Sequence, residues 1–126
     1  MSRLVLDAGA FVAFERGERV VRGYLQAARR LAIDVATSSP VVAQVWRDGR
    51  RQSLLARLLA GVRIIAPDEL AARRAGALLA RTKTSDVVDA LVAGLLRPAD
   101  TVLTSDPRDL ERLLEAAGVE AVIVAV

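Results

Sequence analysis

The sequence predicts an α/β fold, a parallel five-stranded sheet with helices on both faces. Short aliphatic, β-branched runs recur five times, and segments of helical spacing separate them throughout. The composition is 53% hydrophobic but only 3% aromatic, so the core must be built from Ala, Val, Leu and Ile. A sheet of β-branched residues covered by Ala- and Leu-rich helices fits that palette. The 126 residues read as one domain, 1–126, with no linker, internal repeat or low-complexity tract. A chain of that length buries roughly two-thirds of its unfolded surface.

The first strand is expected at 3–6, around Leu4-Val5-Leu6. Residues 7–16 read as a turn into a short helix that stops near Gly17. From Glu18 to Leu31, Val20, Val21, Tyr24, Leu25, Ala28 and Leu31 recur at helical spacing. A second strand follows at 33–37. Ser38-Ser39-Pro40 is a helix start, a serine cap with proline in the first turn, and the helix is drawn to Gly49. Another helix covers about 50–60 and ends at Gly61. The third strand is placed at 62–66, and Pro67-Asp68 begins a helix to about Arg81. A helix opening at Thr84 or Ser85 runs to Leu96 and stops before Pro98. The fourth strand is 101–104. Asp106-Pro107 opens a helix that Gly118 closes, and the fifth strand is 121–126.

Three aspartates stand where strands end or helices begin. Asp7 follows the first strand, Asp106 follows the fourth, and Asp89 lies in the first turn or so of the helix opened at Thr84-Ser85-Asp86. In an open α/β sheet the carboxyl ends of the strands converge on one crevice, so these residues can meet there. Gathered carboxylates repel one another and raise each other's pKa unless a cation neutralises them. An all-oxygen donor set suits a hard octahedral ion such as Mg²⁺ or Mn²⁺.

The chain has no cysteine and no histidine. That removes disulfides, thiolate chemistry, the usual zinc ligands, histidine-dependent triads and paired-histidine ribonuclease chemistry. Any hydrolysis must therefore run on carboxylates and a metal. Net charge is +3, and seventeen of the eighteen basic residues are Arg, with Lys83 the exception. GC-rich coding accounts for much of that bias, and the remaining positive excess is weak support for a nucleic-acid or acidic partner. No apolar run approaches the ~20 residues that span a bilayer, and no leader pattern opens the chain, so a cytoplasmic protein without membrane contact is expected.

Three segments carry a resemblance. Leu4-Val5-Leu6-Asp7-Ala8-Gly9-Ala10 resembles the "hhDss" opening of PIN domains. Asp89-Ala90-Leu91-Val92-Ala93 resembles their "DAxhA" helix, and Thr104-Ser105-Asp106-Pro107-Arg108-Asp109-Leu110 their "TxDxxDh" signature. Order, spacing and length agree over essentially the whole chain, and the size is similar to that of VapC-type toxins of toxin–antitoxin pairs. The resemblance implies a metal-dependent endoribonuclease, with Asp7, Asp89 and Asp106 as catalytic metal ligands for Mg²⁺ or Mn²⁺. It implies hydrolysis of RNA to a 5′-phosphate and a 3′-hydroxyl, with a cognate antitoxin and a homodimer as partners.

One position departs from the pattern. The family's acid in the helix after the second strand is Gln44 here. An amide oxygen can touch a metal or its water but brings no charge, so one ion or weaker binding is expected. Asp86 and Asp109 are candidates to compensate, and Asp86 also reads as a helix cap. Thr104 reads either as a bond to a carboxylate or water, or as support for the turn. Arg47, three residues after Gln44, shares its expected helix face and is a candidate RNA-phosphate contact, and Trp46 reads as core or partner surface. A second reading follows from Gln44, a catalytically weakened PIN-like protein that binds RNA or a partner. A phosphoacceptor receiver domain fails on Pro67-Asp68 and on the place of Lys83. A haloacid-dehalogenase-type phosphatase fails on Asp7-Ala8-Gly9, which lacks the second acid.

Overall fold

A computed structural model describes residues 2–126. The strands are β1 (Leu4–Leu6), β2 (Val35–Ser38), β3 (Arg63–Ile65), β4 (Thr101–Thr104) and β5 (Val122–Ala125). They pair in the order β3-β2-β1-β4-β5, all parallel. The described residues also hold seven helices: α1 (Ala8–Glu15), α2 (Arg19–Arg30), α3 (Ser39–Val45), α4 (Ser53–Ala60), α5 (Glu69–Thr82), α6 (Val87–Leu95) and α7 (Pro107–Ala117). The predicted α/β fold is thus the one adopted.

The topology follows from the crossover rule. Right-handed connections that step outward from β1 to β2 to β3 put their helices on one face, and those that run from β3 to β4 to β5 put theirs on the other. The packing agrees, because α1 touches α2, α3 and α4, whereas α5, α6 and α7 touch one another. The direction of winding reverses between β1 and β4, where an open α/β sheet leaves a crevice at the strands' carboxyl ends. The core is aliphatic, as the palette requires. Val5, Leu6, Val102 and Leu103 of the central strands, with Phe11, Leu55, Val92 and Leu110 from the helices, are fully buried.

At the opposite edge, β1 and β4 are clamped by an ion pair. Asp100, 1% exposed, accepts Arg3 N–H at 2.8 Å, Arg97 N–H at 2.9 Å, and Arg3 Nη2 and Nε at 2.8 and 3.2 Å. The same guanidinium donates to the Leu95 carbonyl at 2.7 Å. Burial pushes the Asp100 carboxyl up, but the bonds from Arg3 and Arg97, with the Arg3 charge, outweigh it and hold the carboxyl below its ordinary 3.8. This clamp fixes the start of β1 beside the start of β4, in the register Leu4 to Thr101 and Leu6 to Leu103.

The helix drawn from Ser38 to Gly49 is shorter than expected. α3 stops at Val45, and Trp46 is extended, with ψ at 130°. Gln52 is the cause. Its amide donates to the Val45 carbonyl at 2.9 Å and to the Glu15 carboxylate, while its oxygen accepts the N–H groups of Arg47 at 2.7 Å and Asp48 at 3.0 Å. One side chain thereby satisfies groups that a continuing helix would have paired. We expect Gln52→Ala to destabilise the fold by about 1–2 kcal/mol and to speed hydrogen exchange at Arg47 and Asp48. Unaltered exchange at both amides would show that the loop holds itself. The helix expected from Thr84 or Ser85 likewise starts later, at Val87, because Asp86 is its cap.

Candidate active site

Local chemistry places each acid. Asp7 caps α1, and its Oδ1 accepts the Ala8 N–H at 2.8 Å while its own N–H donates to the Leu103 carbonyl at 3.0 Å. Asp86 caps α6, its Oδ1 accepting the Asp89 N–H at 3.0 Å. Asp106 holds the cap position of α7 ahead of Pro107 but makes no capping bond, so its carboxylate stays available. Asp109 lies in the first turn of α7 and Asp89 in the first turn of α6, both at helix ends where negative charge is favoured.

These elements bring the acids together at the switch between β1 and β4. One carboxylate oxygen each from Asp89, Asp106 and Asp109 lies within 4.8 Å of the other two. Asp7 stands beside this set, tied to it through Thr104, whose hydroxyl donates to Asp7 Oδ2 at 2.8 Å and accepts the Asp106 N–H at 2.9 Å. Thr104 therefore joins the two central strand ends. Asp7 and Asp89 are buried, at 4% and 6% exposure, whereas Asp86 and Asp106 reach solvent.

Charge is concentrated here without a counter-ion from the protein. Among the described residues no Arg or Lys pairs with any of the five acids. Burial raises the Asp7 carboxyl; the Ala8 N–H and Thr104 hydroxyl oppose this, and Asp86 and Asp106 add to it. Asp89 is pushed up to about 7, first by burial and then by repulsion from Asp7, Asp86, Asp106 and Asp109. Its Oδ2 is one of two buried side-chain polar atoms with no hydrogen-bond partner among the described residues, the other being Ser38 Oγ. A buried, orphaned carboxylate oxygen facing four other acids is a donor set suited to a hard divalent cation.

Two sequence-predicted residues, Arg47 and Trp46, stand differently from expectation. Gln44 is exposed on α3. Because α3 ends at Val45, the helical face expected to join Gln44 with Arg47 does not form. The Arg47 guanidinium instead donates to the carbonyls of Ala43 at 3.1 Å and Trp46 at 2.7 Å, closing the helix end. Trp46 is 37% exposed and lies against Gly49, so it is not a core residue. Sequence reasoning missed the Arg3–Asp100 clamp, which no local signal marks.

A groove of about 850 Å³ opens on the α1–α4 face. Phe14, Leu25, Leu54 and Leu58 form its apolar wall, and Arg29, Arg57 and Arg63 line it beside Asp34.

Strand order and helix placement, with acids at the carboxyl edge of the switch point, define a PIN-type α/β fold. Among solved structures, the chain is similar to one in the crystal structure of VapBC2 from Rickettsia felis bound to a DNA fragment from its promoter. The TM-score is 0.71 at 15% identity, covering 96% of this chain and 98% of that one. The likeness shows that the two chains share a PIN-like fold. No family model and no curated protein matches the sequence. No helix among the described residues is long and apolar enough to cross a membrane.

Proposed function

We propose that this chain is a VapC-like, metal-dependent endoribonuclease, the toxin of a type II toxin–antitoxin pair acting on RNA in the cytoplasm. The observation that carries it is the buried Asp89 carboxylate, unpartnered at Oδ2 among Asp7, Asp86, Asp106 and Asp109. Asp89, Asp106 and Asp109, with Asp7 beside them, would hold Mg²⁺ or Mn²⁺. When bound there, such an ion lowers the pKa of a water and offsets charge on the leaving oxygen. The protein's own part is positional. The Ala8 N–H and Thr104 hydroxyl hold Asp7 in one orientation, and the α6 and α7 first turns aim Asp89, Asp106 and Asp109 at one point. With its carboxyl at about 7, Asp89 is roughly half protonated at neutral pH, and an ion bound there would displace that proton.

The antitoxin reading draws support from the groove on the α1–α4 face. Its apolar wall and arginines suit an acidic amphipathic segment. A homodimer belongs to the same proposal. Gln44 favours a second reading, a weakened PIN-like protein that binds RNA or a partner without efficient cleavage. Asp86 and Asp109 weigh against it, because they restore carboxylates that Gln44 does not supply.

The test is cleavage of a mixed RNA pool with Mg²⁺, with Mn²⁺ and with chelator, for wild type beside Asp7→Asn. We expect metal-dependent cleavage leaving 5′-phosphates, lost by at least about 10²-fold in the variant with its circular dichroism unchanged. Equal cleavage by both proteins would sink the assigned site. Folded wild type that cleaves with neither ion would favour the binding reading and make partner identification the next question.

A further inference from the structure

Gly9, the second residue of α1, lies against the turn between β4 and α7. A Cβ at this position would collide with Ser105 Oγ and would fall 2.5 Å from Ser105 Cβ and 2.8 Å from Ser105 N. The hydroxyl can rotate away, but the Cβ and the backbone nitrogen cannot. Glycine is disfavoured inside helices because of its backbone entropy, so a glycine here calls for a reason, and the close approach of Ser105 is one.

The contact extends a seam whose other ties are already visible. Asp7 N–H bonds to the Leu103 carbonyl, and the Thr104 hydroxyl joins Asp7 Oδ2 to the Asp106 N–H. Gly9 against Ser105 is the next contact along, between the turn that carries Asp7 and the turn that carries Asp106. We propose that Gly9 and Ser105 are positioning residues, a pair whose close packing sets the separation between the Asp7 side of the acidic crevice and the Asp106–Asp109 side. The proposal rests on the metal-site reading. A side chain at residue 9 needs roughly an ångström more room than the 2.5 Å approach allows, and misplacement by that amount is costly where several ligands converge.

The experiment is calorimetric titration of Mn²⁺ into wild type, Gly9→Ala, and the double variant Gly9→Ala with Ser105→Gly, alongside thermal melts. Wild type is read first, and absence of Mn²⁺ binding there overturns the metal-site reading itself. Given wild-type binding, Gly9→Ala should retain the folded spectrum while binding Mn²⁺ about 10- to 100-fold more weakly. The double variant should recover part of that loss, incompletely because the Ser105 nitrogen remains. A role confined to packing would lower the melting temperature and leave Mn²⁺ affinity within twofold of wild type, which overturns the proposal. A double variant no better than the single one also overturns it. If Gly9→Ala fails to fold, the double variant decides alone, supporting the contact by folding and binding Mn²⁺ and refuting it by staying unfolded.

Discussion

Asp89→Asn is expected to stabilise the metal-free protein at pH 8 by on the order of 2–3 kcal/mol and, when metal is supplied, to abolish metal-dependent cleavage. Holding the Asp89 carboxyl at about 7 rather than 3.8 disfavours the charged fold by at most about 4 kcal/mol. Solvent reaching the crevice beside exposed Asp86 and Asp106 lowers that figure. The sign follows from proton binding. Between pH 3.8 and about 7 the folded state holds the Asp89 proton more tightly than the unfolded chain. This carboxyl's penalty is therefore full above pH 7, shrinks as pH falls through that value, and is gone below 3.8. Urea unfolding at pH 5 to 8 checks it: wild type should gain stability on acidification over that range, and Asp89→Asn should gain much less. Parallel pH profiles would show that Asp89 is not the strained group. Mn²⁺ should stabilise wild type most at high pH and leave the variant's midpoint unmoved.

Arg3→Met is expected to destabilise the fold by about 3–5 kcal/mol, the largest loss predicted here. It leaves the Asp100 carboxylate, 1% exposed, without its counter-charge. The pH dependence is opposite to that of Asp89. Because Asp100 lies below its ordinary value in the fold, its contribution is full above pH 3.8 and is lost as pH falls through its folded value. In Arg3→Met burial acts unopposed, the carboxyl rises, and protonation at mildly acid pH should recover part of the loss. A deficit that stays constant with pH would mean that the lost packing of the arginine stem, not the buried charge, is responsible. Replacing both partners with apolar groups should not restore wild-type stability, because Asp100 also accepts the N–H groups of Arg3 and Arg97.

How far the sequence could be read depended on how local each signal is. The fourth strand, expected at 101–104, is Thr101–Thr104, and the helix bounded by Pro107 and Gly118 runs from Pro107 to Ala117 with Gly118 left-handed at φ 69°. Proline and glycine act on their own backbone, so their meaning survives in any fold. The helix drawn to Gly49 failed because its end is decided by Gln52, five to seven residues on, and by Glu15 from another helix. The apolar stripe of the second helix was legible in period but not in extent. Val21 and Ala28 are buried, whereas Val20, Tyr24 and Leu31 remain largely exposed.

By itself the sequence determined the fold class and the residue type of the candidate site. With no histidine and no cysteine, and with aspartates at strand ends and helix starts, a candidate metal site could only be carboxylate-based, with the sheet's carboxyl edge as its expected place. Only the tertiary structure decided which acids meet. It joins Asp109 to Asp89 and Asp106, binds Asp7 to Asp106 through Thr104, and turns Gln44 to solvent. It also sets the proton affinity of Asp89 and the close approach of Gly9 to Ser105. Several of these contacts join residues far apart in the chain, Asp7 to Thr104 and Gly9 to Ser105. Only the packed sheet brings those residues near enough to repel, bond or collide.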